Sequence, residues 1–306
     1  MEKIYDVMIL GGGAAGLTAG IYASRAKLDT IILNEGVVGG QVVLTNEIAN
    51  YPGVKTVKGY ELSNIMRKQA KDFGATIRTS LNLIRYNLEG EIKEVENDDG
   101  RVFKAKTVII ASGGKPRALG IPGENDFEGR GVSYCATCDA DFFQDKKLLV
   151  IGGGNSALEE AVTLTKFASK VTIIHQFDHF QAFEHAIEEV KNNPKIDFIM
   201  SSEPRAYIGE DRLEKVRIEN MLNGEISEIE TDGVFVFIGY EPNTLKVKDI
   251  VKLNEKNEIV VDSDMKTDIP GVFAAGDCIA KKYRQVTTAV AEGTIAALSA
   301  AEYLRK

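Results

Sequence analysis

The run Asp6-Val-Met-Ile-Leu-Gly11-Gly12-Gly13-Ala14-Ala15-Gly16 decides the fold, because an apolar strand leads directly into the pattern G-x-G-x-x-G. A helix-like stretch follows as far as Lys27, and a second apolar run covers residues 30–33. This order of strand, helix and strand predicts a βαβ unit. Its glycines, Gly11, Gly13 and Gly16, allow a tight turn and a close backbone approach to a pyrophosphate. We expect the phosphates at the amino end of the helix, where unpaired N–H groups point outward.

Two further positions fit the polar contacts of a bound nucleotide. An acidic partner for a ribose hydroxyl is expected where the second strand ends. Asn34 and Glu35 stand there, and we predict Glu35 as the partner. A short apolar run over 271–276 ends at Asp277 and leads into a C-terminal helix over 287–303. The carboxylate of Asp277 can accept a hydrogen bond from a cofactor hydroxyl, and a plain turn is the alternative.

The same fingerprint returns later in the chain as Gly152-Gly153-Gly154-Asn155-Ser156-Ala157. An apolar run over 147–151 precedes it, and a helix over 157–168 and a strand over 171–174 are expected to follow. Two dinucleotide-type units in one chain predict an α/β fold with two Rossmann-like domains.

Composition limits the class of protein. The chain has 306 residues, of which 44% are hydrophobic and 27% charged, so it is long enough for two domains and is not disordered, collagen-like or a disulfide scaffold. A net charge of −8 argues against a nucleic-acid partner, since phosphate-backbone binding needs a basic surface. No apolar run approaches the roughly 18 residues of a membrane helix, and the N-terminal segment does not resemble an export signal. We therefore expect a cytoplasmic protein without a membrane partner.

The cysteines indicate redox chemistry. Cys135 and Cys138 form one Cys-x-x-Cys, and Cys278 is interpreted as a small core residue. A Cys-x-x-Cys in a reducing compartment is a redox pair, half of a metal site, or a coincidence. Zinc would need two more ligands, and none of the histidines at 175, 179 and 185 is arranged with the pair. We predict a redox pair and no metal.

Taken together, these motifs resemble the low-molecular-weight thioredoxin reductase family. The resemblance extends from Gly11 to the C-terminus and is carried by residues 39–41, 50–53, 111–113, 135–139, 233–244, 273–277 and 284–285. It implies a discontinuous FAD-binding domain over 1–117 and 246–306. A second Rossmann-like, three-layer domain of the NAD(P)H type, over 118–245, is inserted in the first and carries the Cys-x-x-Cys. The resemblance further implies a homodimeric oxidoreductase that binds FAD and reduces the disulfide of thioredoxin.

The resemblance also assigns roles to individual residues. Cys138 is expected to face the flavin, and Cys135 is expected to attack the substrate disulfide as a thiolate. Asp139 matches the family's general acid, with a helix or turn cap as the alternative role. The residues expected to hold FAD are Gly11, Gly13, Gly16, Glu35, Gln41, Asn50, Asp277 and Gln285.

The electron donor is where the sequence departs from the family pattern. NADPH-using relatives carry His-Arg-Arg-x-x-x-Arg after the second strand of the inserted domain. This chain has His175-Gln176-Phe177-Asp178-His179-Phe180-Gln181, so all three arginines are missing. A 2′-phosphate normally requires guanidinium partners, each contributing roughly 1.5–3 kcal/mol. NAD binding would instead call for an acid at the strand end, where His175 and Gln176 stand.

In lacking these arginines, the chain resembles the ferredoxin-dependent flavin thioredoxin reductases, which use no pyridine nucleotide. We therefore predict that reduced ferredoxin supplies electrons through FAD and the cysteine pair to thioredoxin. Residues 118–245 contain 11 Lys and Arg against 23 Asp and Glu, so an acidic ferredoxin would dock on the flavin domain. The candidate docking cations are Lys55, Lys58, Lys281, Lys282 and Arg284.

Two alternatives stay open. One is an NAD(P)H-dependent thioredoxin reductase with an atypical nucleotide site, which uses other side chains such as Lys166 or Lys170 in place of the arginines. The other is a flavin-bound redox sensor whose cysteine pair reports oxidation without turnover.

Overall fold

The computed structural model describes residues 3–44, 48, 50–134 and 136–305. Its strands, numbered in chain order, are β1 (Ile4–Leu10), β2 (Thr30–Leu33), β3 (Thr76–Arg78), β4 (Leu83–Asn87), β5 (Lys93–Asn97), β6 (Val102–Ile110), β7 (Gly114–Pro116), β8 (Val132–Ser133), β9 (Lys147–Ile151), β10 (Lys170–Ile174), β11 (Ile196–Ile199), β12 (Ser202–Gly209), β13 (Leu213–Asn220), β14 (Ile226–Glu230), β15 (Gly233–Val236), β16 (Tyr240–Pro242) and β17 (Val272–Ala274). Its α-helices are α1 (Ala14–Arg25), α2 (Gly59–Asp72), α3 (Glu124–Phe127), α4 (Ala136–Asp139), α5 (Asn155–Leu164), α6 (Glu184–Lys191) and α7 (Val286–Tyr303). Short 3-10 helices cover Gly40–Leu44, Ala140–Phe143 and Leu245–Val247.

The chain divides into two compact units. Unit 1 contains residues 1–115 and 241–306, and unit 2 contains residues 116–240. The chain passes from one unit to the other in β7 and β16, which pair as a two-stranded sheet.

Unit 1 is built on a sheet with the strand order β3-β2-β1-β6-β5-β4, in which β17 also pairs with β6. Strands β3, β2, β1, β6 and β17 are parallel, and β5 and β4 are antiparallel additions. Alternate side chains of β1 enter two separate cores, since successive strand residues point to opposite faces. Val7 and Ile9 pack with residues of α1, α2 and α7, and Met8 and Leu10 pack with residues of β4, β5 and β17.

Unit 2 repeats this plan on a smaller scale. Its parallel sheet has the order β11-β10-β9-β15-β8, and a separate antiparallel sheet contains β12, β13 and β14. Leu148 and Val150 of β9 pack with α5 and α6, and Leu149 and Ile151 pack against the antiparallel sheet. The predicted α/β class with two Rossmann-like units is therefore confirmed.

Within the ranges given above, no helix combines the length and the apolar character that a membrane span requires.

Candidate active site

The loop between β1 and α1 has the shape that its glycines predict. Gly11 has a φ of +116°, and a Cβ at this position would lie 2.2 Å from the carbonyl oxygen of Ala111. A Cβ on Gly16 would lie 1.9 Å from the carbonyl oxygen of Gly11, so helix α1 can approach the loop this closely only without a side chain. A Cβ on Gly13, the N-cap of α1, would meet no atom within 4 Å. Gly13 therefore borders open space at the helix amino end, where a pyrophosphate can approach.

The residue that contacts this loop from the end of β2 is Asn34. Its Oδ1 accepts a hydrogen bond from the Gly12 N–H at 2.8 Å, and its Nδ2 donates to the carbonyl of Gly36. The Gly39 N–H donates to the carbonyl of Gly12 at 2.7 Å, which brings the 39–40 segment beside the loop. We predicted Glu35 as the ribose partner, whereas Asn34, which directly follows β2, is the residue that contacts the loop.

Glu35, the predicted ribose partner, is already engaged by other groups of unit 1. Its Oε1 lies 2.5 Å from the Nζ of Lys246 and accepts a hydrogen bond from the Leu83 N–H at 2.9 Å. Lys246 also donates to the carbonyl of Leu83 at 2.8 Å. Glu35 thus joins the end of β2 to the start of β4 and to the segment after β16.

A cavity of about 550 Å³ opens beside Glu35. Tyr60, Asn64 and Arg67 of α2 are among the residues that line it. The Nε of Arg67 is buried and makes no hydrogen bond within the described part of the chain. A buried donor without a partner is costly unless a ligand completes it. The volume lies within the range of small-molecule sites, and no local motif in α2 marks these three residues.

Two of the predicted cofactor residues meet although they are far apart in sequence. The Nδ2 of Asn50 donates to the Oε1 of Gln285 at 3.2 Å. Gln285 is the N-cap of α7, and its N–H donates to the Oγ1 of Thr288 at 3.2 Å. Gln41 lies exposed in the 3-10 helix Gly40–Leu44.

Asp277 lies just after β17 in a cluster of three charged side chains. The Nζ of Lys281 lies 2.9 Å from Asp277 Oδ1 and 2.8 Å from Glu292 Oε2. Glu292 Oε2 also accepts a hydrogen bond from the Gly276 N–H at 2.9 Å. Burial raises the pKa of Glu292 even though Lys281 acts in the opposite direction. The cluster holds the turn that follows β17 against α7.

This cluster changes the expectation for the docking cations. The side chain of Lys281 is only 9% exposed, because it lies between two carboxylates. Arg284 contacts the carboxylate of Glu258, which is itself buried. Lys281 is therefore not available to a docking partner, and Arg284 is paired within unit 1; a docking role for Lys55, Lys58, Lys282 and Arg284 stays a prediction.

The second fingerprint loop, between β9 and α5, is also intact. Gly152 has a φ of +138°, and a Cβ there would lie 2.3 Å from the carbonyl oxygen of Phe237. A Cβ on Gly154 would approach only the carbonyl oxygen of Gln181, at 3.9 Å. Ala157, at the third fingerprint position, is fully buried in the core of unit 2. The loop thus keeps an open approach to the amino end of α5.

His175 closes this loop from the end of β10. Its ring atoms lie 2.5 Å from the position of a Cβ on Gly153, and the residue is 5% exposed. Burial lowers the pKa of His175, so the ring is neutral near pH 7. Its Nε2 has no hydrogen-bond partner among the described residues.

The exposed His179 and Asp178 pair at 2.6 Å, and this bond holds the pKa of Asp178 below its usual range.

The two lysines considered as replacements for the missing arginines lie far from the fingerprint loop, near the amino ends of the strands. Lys170 is the first residue of β10 and pairs with Asp197 at 2.8 Å, about 13 Å along the strand from Ile174. Lys166 follows the carboxyl end of α5, one helix length of about 15 Å from the fingerprint loop. Neither lysine can therefore replace a guanidinium beside the ribose.

The redox motif is described in part. Cys135 lies outside the described residues, as does the side chain of Cys138, whose backbone belongs to α4. The Oγ of Ser133, a buried residue at the end of β8, donates to the Oδ2 of Asp139 at 2.6 Å. The carboxylate proposed as the acid is thus oriented by a hydroxyl from the strand before the motif.

A buried carboxylate, that of Glu124, contacts the residue that precedes the redox motif. Glu124 is 2% exposed and accepts hydrogen bonds from the N–H groups of Leu119 and Gly120, at 2.9 and 2.6 Å. The hydroxyl of Tyr134 donates to Glu124 at 2.8 Å. Burial raises the pKa of Tyr134, so the phenol stays a donor. Tyr134 directly precedes Cys135, and this contact fixes the chain where the motif begins.

Cys278 is confirmed as a core residue. It is fully buried in unit 1, its Sγ lies 3.4 Å from the carbonyl oxygen of Ala275, and burial raises its pKa.

Among the residues that the structure describes, no group of three His, Cys, Asp or Glu side chains is arranged to hold a metal ion.

Comparison with known proteins identifies the relatives of this chain. The family model described as pyridine nucleotide-disulphide oxidoreductase matches residues 5–293. A protein of Peptoclostridium acidaminophilum named thioredoxin reductase is 44% identical over 99% of this chain and 98% of its own length. A crystal structure of Lactococcus lactis thioredoxin reductase is 40% identical, covers 98% of this chain and 99% of its own, and has a TM-score of 0.85.

The ferredoxin-dependent proteins are more distant. A crystal structure of a ferredoxin-flavin thioredoxin reductase from Clostridium acetobutylicum is 30% identical over 98% of each chain, with a TM-score of 0.53. The expectation that this chain lies nearest to that group is therefore not supported. The comparisons favour the nicotinamide-dependent alternative over the ferredoxin-dependent hypothesis.

Proteins of this family bind FAD, and unit 1 fits that cofactor. The open space at Gly13 and the amino end of α1 suit its pyrophosphate. The cavity beside Glu35, with the unpartnered Nε of Arg67, suits a further polar part of the molecule. Asn50 and Gln285 already meet, and Asp277 lies at the end of a parallel strand, where such folds bind ligands.

Proposed function

Because the chain belongs to the pyridine nucleotide-disulphide oxidoreductases, and within them to the low-molecular-weight thioredoxin reductases, we propose that it reduces thioredoxin with electrons from a reduced nicotinamide nucleotide. The net reaction converts thioredoxin disulfide, NAD(P)H and one proton into thioredoxin dithiol and NAD(P)+. Unit 2 binds the nucleotide, and unit 1 binds FAD.

The observation that carries this proposal is the open fingerprint loop of unit 2. A nucleotide site needs room for the pyrophosphate above the second glycine, and the nearest atom to a Cβ on Gly154 is a backbone oxygen 3.9 Å away. The tight turn at Gly152 and the N-terminus of α5 are also in place. Relatives that match over the full length and are named thioredoxin reductase support the same function.

The thiol chemistry is proposed for Cys135 and Cys138. The Cys135 thiolate attacks the thioredoxin disulfide, forms a mixed disulfide and releases one thioredoxin sulfur as a thiolate. Asp139, held by the Ser133 hydroxyl, supplies the proton to that leaving sulfur. The Cys138 thiolate then attacks the sulfur of Cys135, which closes the Cys135–Cys138 disulfide and frees reduced thioredoxin. FAD, when bound, supplies the two-electron redox chemistry that restores the dithiol.

FAD is proposed to be held by the fingerprint loop of unit 1 and by polar groups from distant segments. Gly11, Gly13 and Gly16 form the loop, and the contributing side chains are those of Glu35, Gln41, Asn50, Asp277 and Gln285. We also propose that the flavin domain extends over 1–117 and 246–306, that the inserted domain covers 118–245, and that the protein acts as a cytoplasmic homodimer. Light scattering on the purified holoprotein tests the dimer.

The decisive experiment is a coupled assay with the purified holoenzyme, thioredoxin and NADH or NADPH. Turnover is expected, and Cys138→Ser should abolish it while FAD remains bound. Cys278→Ala is the matched control, since this thiol is buried in the core of unit 1 and its loss should leave turnover unchanged. Retained turnover in the Cys138 variant would contradict the proposed chemistry.

Ferredoxin as donor is the second candidate. It is favoured by one specific observation, that residues 171–190 contain neither Lys nor Arg beside the nucleotide loop. Replacing the nucleotide by chemically reduced ferredoxin in the same assay distinguishes the two donors. Thioredoxin reduction by ferredoxin, with no reaction of either nucleotide, would establish the second candidate.

A further inference from the structure

The segment between β10 and α6 borders the place where a nucleotide would lie in unit 2. The Gln181 N–H donates to the carbonyl of Gly153 at 2.8 Å, and the Phe183 N–H donates to Asn155 Oδ1 at 2.7 Å. These bonds hold residues 175–183 against the fingerprint loop. The adenosine ribose of a dinucleotide whose pyrophosphate lies at the amino end of α5 must therefore face this segment.

The charge of this segment is negative. Its only basic side chains are histidines, and the ring of His179 is engaged by Asp178 at 2.6 Å. A 2′-phosphate carries close to two negative charges at neutral pH. Within 175–183 it would meet no guanidinium to compensate it, and the one carboxylate there, that of Asp178, has the same sign. The acidic residues of 171–190 are Asp178, Glu184, Glu188 and Glu189.

Free ribose hydroxyls need a hydrogen-bond acceptor at the strand end, which is often a carboxylate and is a neutral amide oxygen where Gln176 takes that place. His175 cannot supply this acceptor, since its ring packs on Gly153 and is buried. Gln176 is the next residue and is exposed. Its amide both donates and accepts hydrogen bonds, which suits the 2′- and 3′-hydroxyls without favouring a phosphate.

We propose that unit 2 selects NADH over NADPH, with Gln176 at the ribose hydroxyls and with no guanidinium in 175–183 to compensate a 2′-phosphate. This inference deepens the proposed function, on which it rests, by naming the nucleotide.

Calorimetry on the holoenzyme with NAD+ and NADP+ tests the selectivity directly. Anaerobic bleaching of the flavin by NADH and NADPH gives a second, spectroscopic readout. NAD(H) is expected to bind about 100-fold more tightly than NADP(H), or better. Equal or tighter binding of the phosphorylated nucleotide overturns the inference, and so does the absence of binding of either nucleotide at millimolar concentration.

The variant Gln176→Arg tests the assignment of the residue. It should raise the affinity for NADP+ about 10-fold or more and leave that for NAD+ within about 3-fold. Gln69→Arg, on the exposed face of α2 in unit 1, adds the same charge elsewhere and should change neither affinity. An unchanged ratio in the Gln176 variant, with its melting temperature intact, would contradict the placement of Gln176 at the ribose.

A third measurement separates this inference from the proposed function. Enzyme reduced with dithionite, in the absence of nucleotide, is mixed with oxidised thioredoxin. If thioredoxin is reduced and NADP(H) binds as tightly as NAD(H) or more tightly, the inference fails and the proposed function stands. If nucleotide binding shows the expected selectivity but thioredoxin is not reduced, the proposed substrate fails and the inference stands.

Discussion

The fingerprint loops of the two units share their backbone plan and differ in what closes them. In unit 1, the neighbour beside the loop is Gly39, whose N–H donates to Gly12, and the strand-end side chain is Asn34, which bonds to the same glycine. In unit 2, the neighbour is Gln181, and the strand-end side chain is the buried ring of His175. One loop is therefore bordered by a glycine, and the other by residues with long side chains.

The helix that follows each loop differs as well. Helix α1 approaches so closely that a Cβ on Gly16 would lie 1.9 Å from a carbonyl oxygen, whereas α5 accommodates Ala157 at the equivalent position. The comparison shows that a G-x-G-x-x-G/A pattern determines the turn and the helix N-terminus. The ligand is chosen by residues that follow the second strand, because these border the ribose.

The largest effect is expected from Gly16→Ala. Its methyl group must displace the backbone of the loop, so the free energy of unfolding of unit 1 should fall by about 3 kcal/mol or more, with loss of FAD. The matched change in unit 2, Ala157→Gly, should cost only about 1–2 kcal/mol through helix propensity and lost burial. Thermal melts that also follow flavin release measure the loss of stability in both variants. Equal losses in the two variants would contradict the closer packing of α1 on its loop.

A smaller effect, on ligands and not on the fold, is expected from Gly13→Ala. The added methyl points into open space, so the melting temperature of the apoprotein should stay unchanged. The affinity for FAD should fall about 10- to 100-fold, which corresponds to about 1.4–2.7 kcal/mol, because the methyl takes the place of the approaching pyrophosphate. Titration of apoprotein with FAD measures this.

The counterpart Gly154→Ala is the control for this prediction. It should leave FAD binding intact and weaken nucleotide binding in calorimetry. A loss of FAD in the Gly154 variant would contradict the assignment of one ligand to each loop.

Asn34→Ala should have a still smaller effect, confined to unit 1. It leaves the Gly12 N–H without its acceptor, and a buried unsatisfied donor costs about 1–2 kcal/mol. Asn34→Asp keeps the acceptor for Gly12 but sets a second carboxylate oxygen against the Gly36 carbonyl, so it should be destabilising as well. Chemical denaturation followed by flavin fluorescence gives the values, and an unchanged free energy of unfolding in the Ala variant would show that the bond to Gly12 is not what matters.

The smallest effect concerns pH and unit 2. The pKa of His175 is lowered by burial, so the unfolded chain binds the proton more readily, and unit 2 should lose stability as the pH falls below about 6.5. His175→Phe should remove part of this acid sensitivity, whereas His185→Gln, exposed on α6, should not. Melting curves between pH 7 and 5 test this, and an unaltered slope in the Phe variant would exclude His175 as its source.

Local patterns determined much of this protein in advance. The two βαβ units, their glycines and the buried Cys278 could be predicted, because an apolar strand, a glycine turn and a helix are specified by neighbouring residues. The absence of the arginines after β10 was equally visible in the sequence, and the choice between NADH, NADPH and ferredoxin as electron donor depends on it.

Tertiary structure decided which polar groups are available. Glu35 meets Lys246 across 211 residues, and Asn50 meets Gln285 across 235, pairings that no local pattern contains. Lys281 proved to lie between two carboxylates with little of its side chain exposed, and Lys170 proved to lie at the opposite end of its strand. The physical reason is that the charge and reach of a side chain depend on what packs around it, and those neighbours come from distant parts of the chain.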